Sequence, residues 1–313
     1  MFLLASIPVH ELGHLIFGLF TGYEFCSYRL FSFVWYKEDG RIKFKKATGV
    51  LMGQCLMVPS RDELRFKFVL YNLGGGILNL VAGFAMLILA LAAGFSHKEF
   101  FLAGILSNVL MGLLNLIPLN LGTPNDGLNV AMALKSKEAK HCLFLILFVN
   151  GELSNGKRYQ DFDDGIFALS QFADLSNFLV ANIVMQESAR LYDKGEFNKS
   201  FEQNERIDLD KLPTYYRNFV LMDYLYHYLV HRFDVEKARE IYIDKKLKPL
   251  LNLKLPQITR VTSAYEYFIN NDREKARLLL ERAKNEAENY PNKGISIMEQ
   301  DYCLALEKLI GES

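Results

Sequence analysis

The run Phe66–Phe95 (FKFVLYNLGGGILNLVAGFAMLILALAAGF) carries a single charge, Lys67, and is longer than the roughly 20 residues a helix needs to cross a bilayer. Phe100–Leu121 (FFLAGILSNVLMGLLNLIPLNL) follows after only Ser96–Glu99. Hydrocarbon offers no partner to an open backbone, so runs of this kind are expected as spanning helices. Gly74, Gly75, Gly76 and Gly83 would let the first run approach a neighbour closely. Asn79, Asn108 and Asn115 must each find a polar partner within the bundle. His141–Val149 is also apolar, but at about half the length needed it is a doubtful fourth span.

Met1–Phe20 (MFLLASIPVHELGHLIFGLF) is a third apolar segment, and it contains two histidines and a glutamate. It lacks the basic n-region of a signal peptide, and Pro8, His10, Glu11 and His14 interrupt its apolar run. A membrane helix carrying a site is the better reading, because ionisable groups at membrane depth are costly. His10 and His14 are four residues apart, so on a helix they share a face and can reach one metal ion. Glu11 stands between them, placed to take a proton from a water on that metal. This is the H-E-x-x-H arrangement of zinc hydrolases.

Lysine and arginine set the expected topology. Tyr23–Arg65 contains Arg29, Lys37, Arg41, Lys43, Lys45, Lys46, Arg61 and Arg65, whereas Ser96–Glu99 contains only Lys98. The positive-inside rule then places the first loop and the C-terminal region in the cytoplasm and the N-terminus outside, with three crossings. Within the first loop, Ser27–Trp35 and Arg41–Lys45 flank the turn signal Asp39-Gly40. Tyr28, Leu30, Phe31, Phe33, Val34 and Trp35 favour strand. A β-hairpin over about residues 27–46 is expected, either in the cytoplasm or lying against the membrane.

A catalytic zinc needs at least one more protein ligand beside two histidines, with a position left for water. Asp126, in the loop bounded by Pro124 and Gly127 after the third span, is the candidate. On the topology above, this loop and the C-terminal part of the first helix approach the same membrane face. Taken alone, Asp126-Gly127 reads as a plain turn.

Together, His10-Glu11-Leu12-Gly13-His14, then Gly75-Gly76-Ile77-Leu78-Asn79, then Asn115-Leu116-Ile117-Pro118 leading to Asp126-Gly127 resemble the three signatures of the site-2 protease family of intramembrane zinc metalloproteases. The resemblance covers about Met1–Met132. It implies one zinc per chain held by His10, His14 and Asp126, with Glu11 activating water and Asn79 helping to hold substrate or the oxyanion. It also implies a membrane-associated β element that pairs with a substrate strand. The chain departs from the family pattern in carrying Gly75-Gly76 in place of Gly-Pro and in a longer stretch from Pro118 to Asp126. The short loop Ser96–Glu99 has no room for a PDZ insertion.

The C-terminal half reads as charged, water-soluble protein. Lys199-Ser200, Lys237-Ala238 and Lys275-Ala276 recur every 38 residues, each in a stretch that reads as helix end, short turn, helix start. This period predicts a tetratricopeptide-like α-solenoid over 151–313, following a membrane core over 1–150. Such repeats would recruit a cytoplasmic protein or peptide, or only stabilise the chain. His227 and His231 also have i,i+4 spacing, but with no third ligand candidate they read as surface or packing residues. Lys+Arg and Asp+Glu both number 36, so nothing suggests nucleic acid. Cys26, Cys55, Cys142 and Cys303 make no C-x-x-C pair, which fits a reducing compartment. The expected fold is therefore mainly α: three transmembrane helices and a cytoplasmic or membrane-associated hairpin, then a helical solenoid. The expected function is intramembrane zinc endopeptidase cutting a membrane-spanning protein in a plasma membrane, bacterial by its compactness. The alternative is a catalytically silent membrane scaffold that presents the repeats to a partner.

Overall fold

The computed structural model describes residues 2–38, 40–46, 52–94 and 96–312; Asp39, half of the expected turn signal, lies outside them. The described chain is mainly helical with one small antiparallel sheet. It divides into two compact units near residue 151.

The first unit is built on three apolar helices, α1 (Phe2–Phe20), α2 (Phe68–Ala92) and α3 (Lys98–Leu116), each long and apolar enough to cross a membrane. Their polarity is inverted relative to a soluble bundle. Val81, Phe84, Ile88 and Leu91 on α2 and Leu102, Leu106 and Leu110 on α3 are exposed, whereas Asn72, Asn79 and Asn108 are buried. Glycines set the spacing, one for each neighbour. A Cβ on Gly74 would meet the Gly13 carbonyl and Phe17 of α1, and one on Gly76 would meet Leu116 of α3. Asn79 and Asn108 find each other across α2 and α3, while Asn115 turns back to the Met111 carbonyl of its own helix.

Between α1 and α2 lies a four-stranded antiparallel sheet of order β3-β2-β1-β4, made of β1 (Glu24–Leu30), β2 (Phe33–Glu38), β3 (Arg41–Lys46) and β4 (Gly53–Val58). This corrects the single hairpin expected over 27–46. Ser27–Trp35 is not one strand: Phe31 takes a left-handed conformation (φ 53°) and turns the chain, so Tyr28 pairs with Trp35. β4 lies outside the expected hairpin, and it packs against α1 together with β1. Cys26 falls at an irregularity in the β1–β4 register. The hydroxyl of Tyr28 donates to the Pro8 carbonyl (3.1 Å), fastening β1 to the first helix.

After α3 the chain runs through a loop into α4 (Asp126–Ala133) and α5 (Lys137–Ser154). α5 contains His141–Val149, and it is not among the helices apolar enough to span.

The second unit is entirely helical among its described residues. α6 (Phe178–Asp193) turns into α7 (Phe197–Glu205), and α8 (Thr214–His227), extended by a π-type turn over Tyr228–Arg232, leads to α9 (Val235–Tyr242). The short α10 (Lys248–Leu251), the pair α11 (Pro256–Phe268) and α12 (Arg273–Glu288), and α13 (Lys293–Glu312) complete it. All three 38-residue repeats fall at a helix–turn–helix junction. Asp234 and Asp272 cap α9 and α12 by accepting from the N–H three residues on, as expected of helix-start aspartates. Ser188 donates to the Ser200 carbonyl, and Ser263 to the Ala276 carbonyl, so two of the junctions close in the same way. The core gathers Leu225, Leu229, Leu247, Ile258, Ala264, Leu280 and Leu306 around these pairs.

Candidate metal centre

Asp126 lies more than a hundred residues from His10 and His14 in sequence, yet the three meet, with their candidate ligand atoms within 4.8 Å of one another. His10 Nε2 and His14 Nε2 are 3.1 Å apart. Asp126 Oδ2 lies 3.1 Å from the first and 3.3 Å from the second. The helical spacing brings the two rings together, and Gly75 makes room for them. A Cβ there would sit 2.6 Å from His10 Cε1 and 2.7 Å from His14 Nε2.

The far nitrogen of each ring is fixed by an acceptor. His14 Nδ1 faces the Tyr71 carbonyl oxygen at 2.9 Å, which can only accept, so this nitrogen carries the proton. His10 Nδ1 faces Asn79 Oδ1 at 3.0 Å. The Asn79 amide cannot be reversed, because its Nδ2 already donates to the Ser6 carbonyl and to Asn108 Oδ1, each at 3.0 Å. With both Nδ1 atoms protonated, both Nε2 atoms present bare lone pairs, and they point at one another and at a carboxylate. Three converging acceptors repel unless a cation sits among them. Two imidazole nitrogens and one carboxylate oxygen are a donor set that zinc accepts, with a fourth position open.

Asp126 is aimed by Asn125, a residue that was not singled out in the sequence. Asn125 caps α4, its Oδ1 accepting from the Leu128 N–H (2.8 Å) and from the Leu119 N–H (3.1 Å). Its Nδ2 donates to the Leu114 and Ile117 carbonyls at the end of α3. One amide thus pins the long Pro118–Asp126 stretch to the helix that precedes it. An asparagine directly before a helix-starting aspartate is a legible cap signal. Tyr71 was also missed, since its contribution to His14 is a backbone carbonyl and leaves no mark in residue type.

Glu11 is buried and lies beside the three candidate ligands without joining them, facing β4. The Cys55 backbone N–H points at its carboxylate, and a Cβ on Gly53 would lie 2.6 Å from its Oε1. On the same strand edge, the Tyr71 hydroxyl donates to the Cys55 carbonyl (3.0 Å). Burial pushes the Cys55 thiol up, and Cys55 is not among the described residues whose ligand atoms converge. Asn79, expected at the substrate, is fully buried with both donors and its oxygen engaged, so its amide has no N–H free for an oxyanion in this arrangement.

Compared with protein-family models, curated proteins and solved structures, the chain gives no match. What it does must therefore rest on the chemistry of its site.

Proposed function

We propose that the chain is an intramembrane zinc endopeptidase of site-2 protease type, cleaving a membrane-spanning or membrane-anchored protein. The observation that carries this reading is the convergence of His10 Nε2, His14 Nε2 and Asp126 Oδ2 beside Glu11, among helices whose outward faces are apolar. A scaffold has no need of three bare acceptors held together at the cost of burying them. The first unit spans the membrane three times, with the N-terminus outside and both the sheet and the helical unit in the cytoplasm, following the bias of Lys and Arg. The helical unit forms a short tetratricopeptide-like solenoid.

His10, His14 and Asp126 would hold the zinc, whose Lewis acidity polarises the scissile carbonyl and acidifies a water. Glu11 takes the proton of the attacking water at its carboxylate and passes it to the leaving amine. One water is consumed, the C–N bond breaks, and a carboxyl and an amine result. Helical substrate must unwind locally to expose its carbonyl. The sheet, at the membrane surface, is where the unwound segment would be received.

Metal analysis of the detergent-purified chain tests this. About one zinc per chain is expected, lost in Asp126→Asn and His10→Ala. Glu11→Gln should keep the zinc and lower cleavage of a single-span test substrate by at least ~10²-fold. A folded wild-type chain that takes up no zinc on reconstitution would sink the reading.

A further inference from the structure

We propose that Asn79 and Asn108 act together as positioning residues that make His10 a metal ligand, coupling α3 to a site in which it has no ligand of its own. The proposal rests on the metal-site reading above and extends it from the ligands to the groups behind them.

The two histidines are held differently. His14 relies on a backbone carbonyl, that of Tyr71, which no substitution removes. His10 relies on a side-chain amide, which could in principle turn over. If it did, Asn79 Nδ2 would face His10 Nδ1, the imidazole proton would move to Nε2, and the nitrogen meant for the metal would be blocked. What prevents this is the set of acceptors around Asn79 Nδ2. One is the Ser6 carbonyl, a turn before His10 on α1, and the other is Asn108 Oδ1 on α3. The Asn108 amide is itself oriented, because its Nδ2 donates to the Gly104 carbonyl one turn earlier (2.9 Å). The order of donors therefore runs in one direction: His10 to Asn79, Asn79 to Asn108, Asn108 to the backbone of α3. All three side chains are buried, Asn79 completely, so removing one partner leaves a buried polar group unsatisfied at a cost. Buried amides in apolar helices need such a reason to persist, and groups that orient ligating histidines commonly change metal affinity by about 10–100-fold when removed.

The test uses the full chain in detergent, with Zn2+ affinity measured against a competing chelator and the d–d spectrum of bound Co2+ as a second readout. Asn108→Leu removes the acceptor while keeping the shape. Asn108→Asp, as the un-ionised acid, keeps both a carbonyl acceptor for Asn79 and an O–H donor for Gly104. Asn115→Leu is the control, since that amide only turns back on its own helix. Asn79→Leu and Asn108→Leu are expected to weaken zinc by roughly 10–100-fold and to alter the Co2+ spectrum, with Asn108→Asp restoring both and Asn115→Leu leaving both as in wild type. Wild-type affinity and spectrum in Asn79→Leu and Asn108→Leu would overturn the positioning role while leaving the metal site standing. Equal losses in Asn115→Leu and Asn108→Leu, with no rescue by Asn108→Asp, would also overturn it, as a general cost of removing a polar residue. A wild-type chain that binds neither metal would strike the earlier reading instead.

Discussion

His10 and His14 converge because α2 offers them a strip of bare backbone. Gly75 is the residue under both rings, and any side chain there enters the space that the ligands occupy. Gly75→Ala is therefore expected to abolish zinc binding, whereas Gly83→Ala, whose Cβ would meet Val109 Cγ2 at 3.1 Å, should keep it. Metal content of the two purified variants checks this, and equal zinc in both would refute it. The cluster of His10, His14 and Asp126 was legible in sequence because the spacing and types of its residues are chemistry. The residues that aim them were less so. Asn79 and Asn108 looked like polar groups in need of partners, but their pairing depends on the rotation of two helices. Tyr71 acts through its main chain and was invisible.

At the level of elements, the sheet has two kinds of face. On β2 and β3, Phe33, Trp35, Ile42 and Phe44 are exposed large apolar residues, and in register they share one side, with Trp35 opposite Phe44 and Lys37 opposite Ile42. Aromatic and basic residues mixed in this way suit a membrane–water interface. Trp35 is the chain's single tryptophan, so its fluorescence reports on this face alone. In bilayers, lipids brominated near the headgroup should quench it more than lipids brominated at the chain ends; absence of quenching by either would place the sheet in water. The strands themselves were only partly legible. Aromatic and β-branched content marked the region, but the turn at Phe31 depends on a left-handed residue that is not glycine, and the short Gly53–Val58 strand lacks alternation clear enough to stand out.

The helical elements carry a pH dependence of their own. Burial, with Arg232 adding to it, pushes the His227 imidazole down to about 4. Burial, His227 and Arg260 push His231 down to about 4 as well. Unfolded, both would bind protons near pH 6.5. Their contribution is thus complete above about 6.5 and is lost as the pH falls toward about 4, because the unfolded chain binds more protons in that window. Asp223, pushed up to about 7 by burial, works in the opposite sense, as one group against two. The apparent melting temperature of the helical unit should fall between pH 7 and pH 5, and a double His227→Phe, His231→Phe variant should fall less. A flat profile in the wild type would show that these rings are not held neutral.

On the scale of the whole molecule, the helical unit has a core drawn from its own helices, with a buried Arg260–Glu299 pair (2.8 Å) whose guanidinium lies over the Tyr226 ring (4.3 Å). A fragment of residues 155–313 is expected to be soluble and to unfold cooperatively, as followed by circular dichroism; a gradual, non-cooperative melt would mean that it depends on the rest of the chain. The change from apolar to charged composition along the sequence anticipated two regions of different character. The 38-residue period anticipated the helix pairs, because each pair repeats a small residue at the same place: Ser200, Ala238 and Ala276 are all buried.

The contacts of β4 bear on how such a molecule would be kept quiet. The sheet has two outer strands, β3 and β4, and the one beside the His10–His14–Asp126 cluster, β4, turns the Cys55 N–H toward Glu11 and its carbonyl toward the Tyr71 hydroxyl. For the proposed reaction, the resting molecule is a turnstile rather than an open door. Under that proposal, a substrate segment pairing its main chain beside the candidate metal site would have to displace the Cys55 N–H from Glu11, the carboxylate proposed to handle its proton. Arrival of substrate and release of the proposed base would then be a single event, and a peptide too stiff to unwind would be turned away before any bond is at risk.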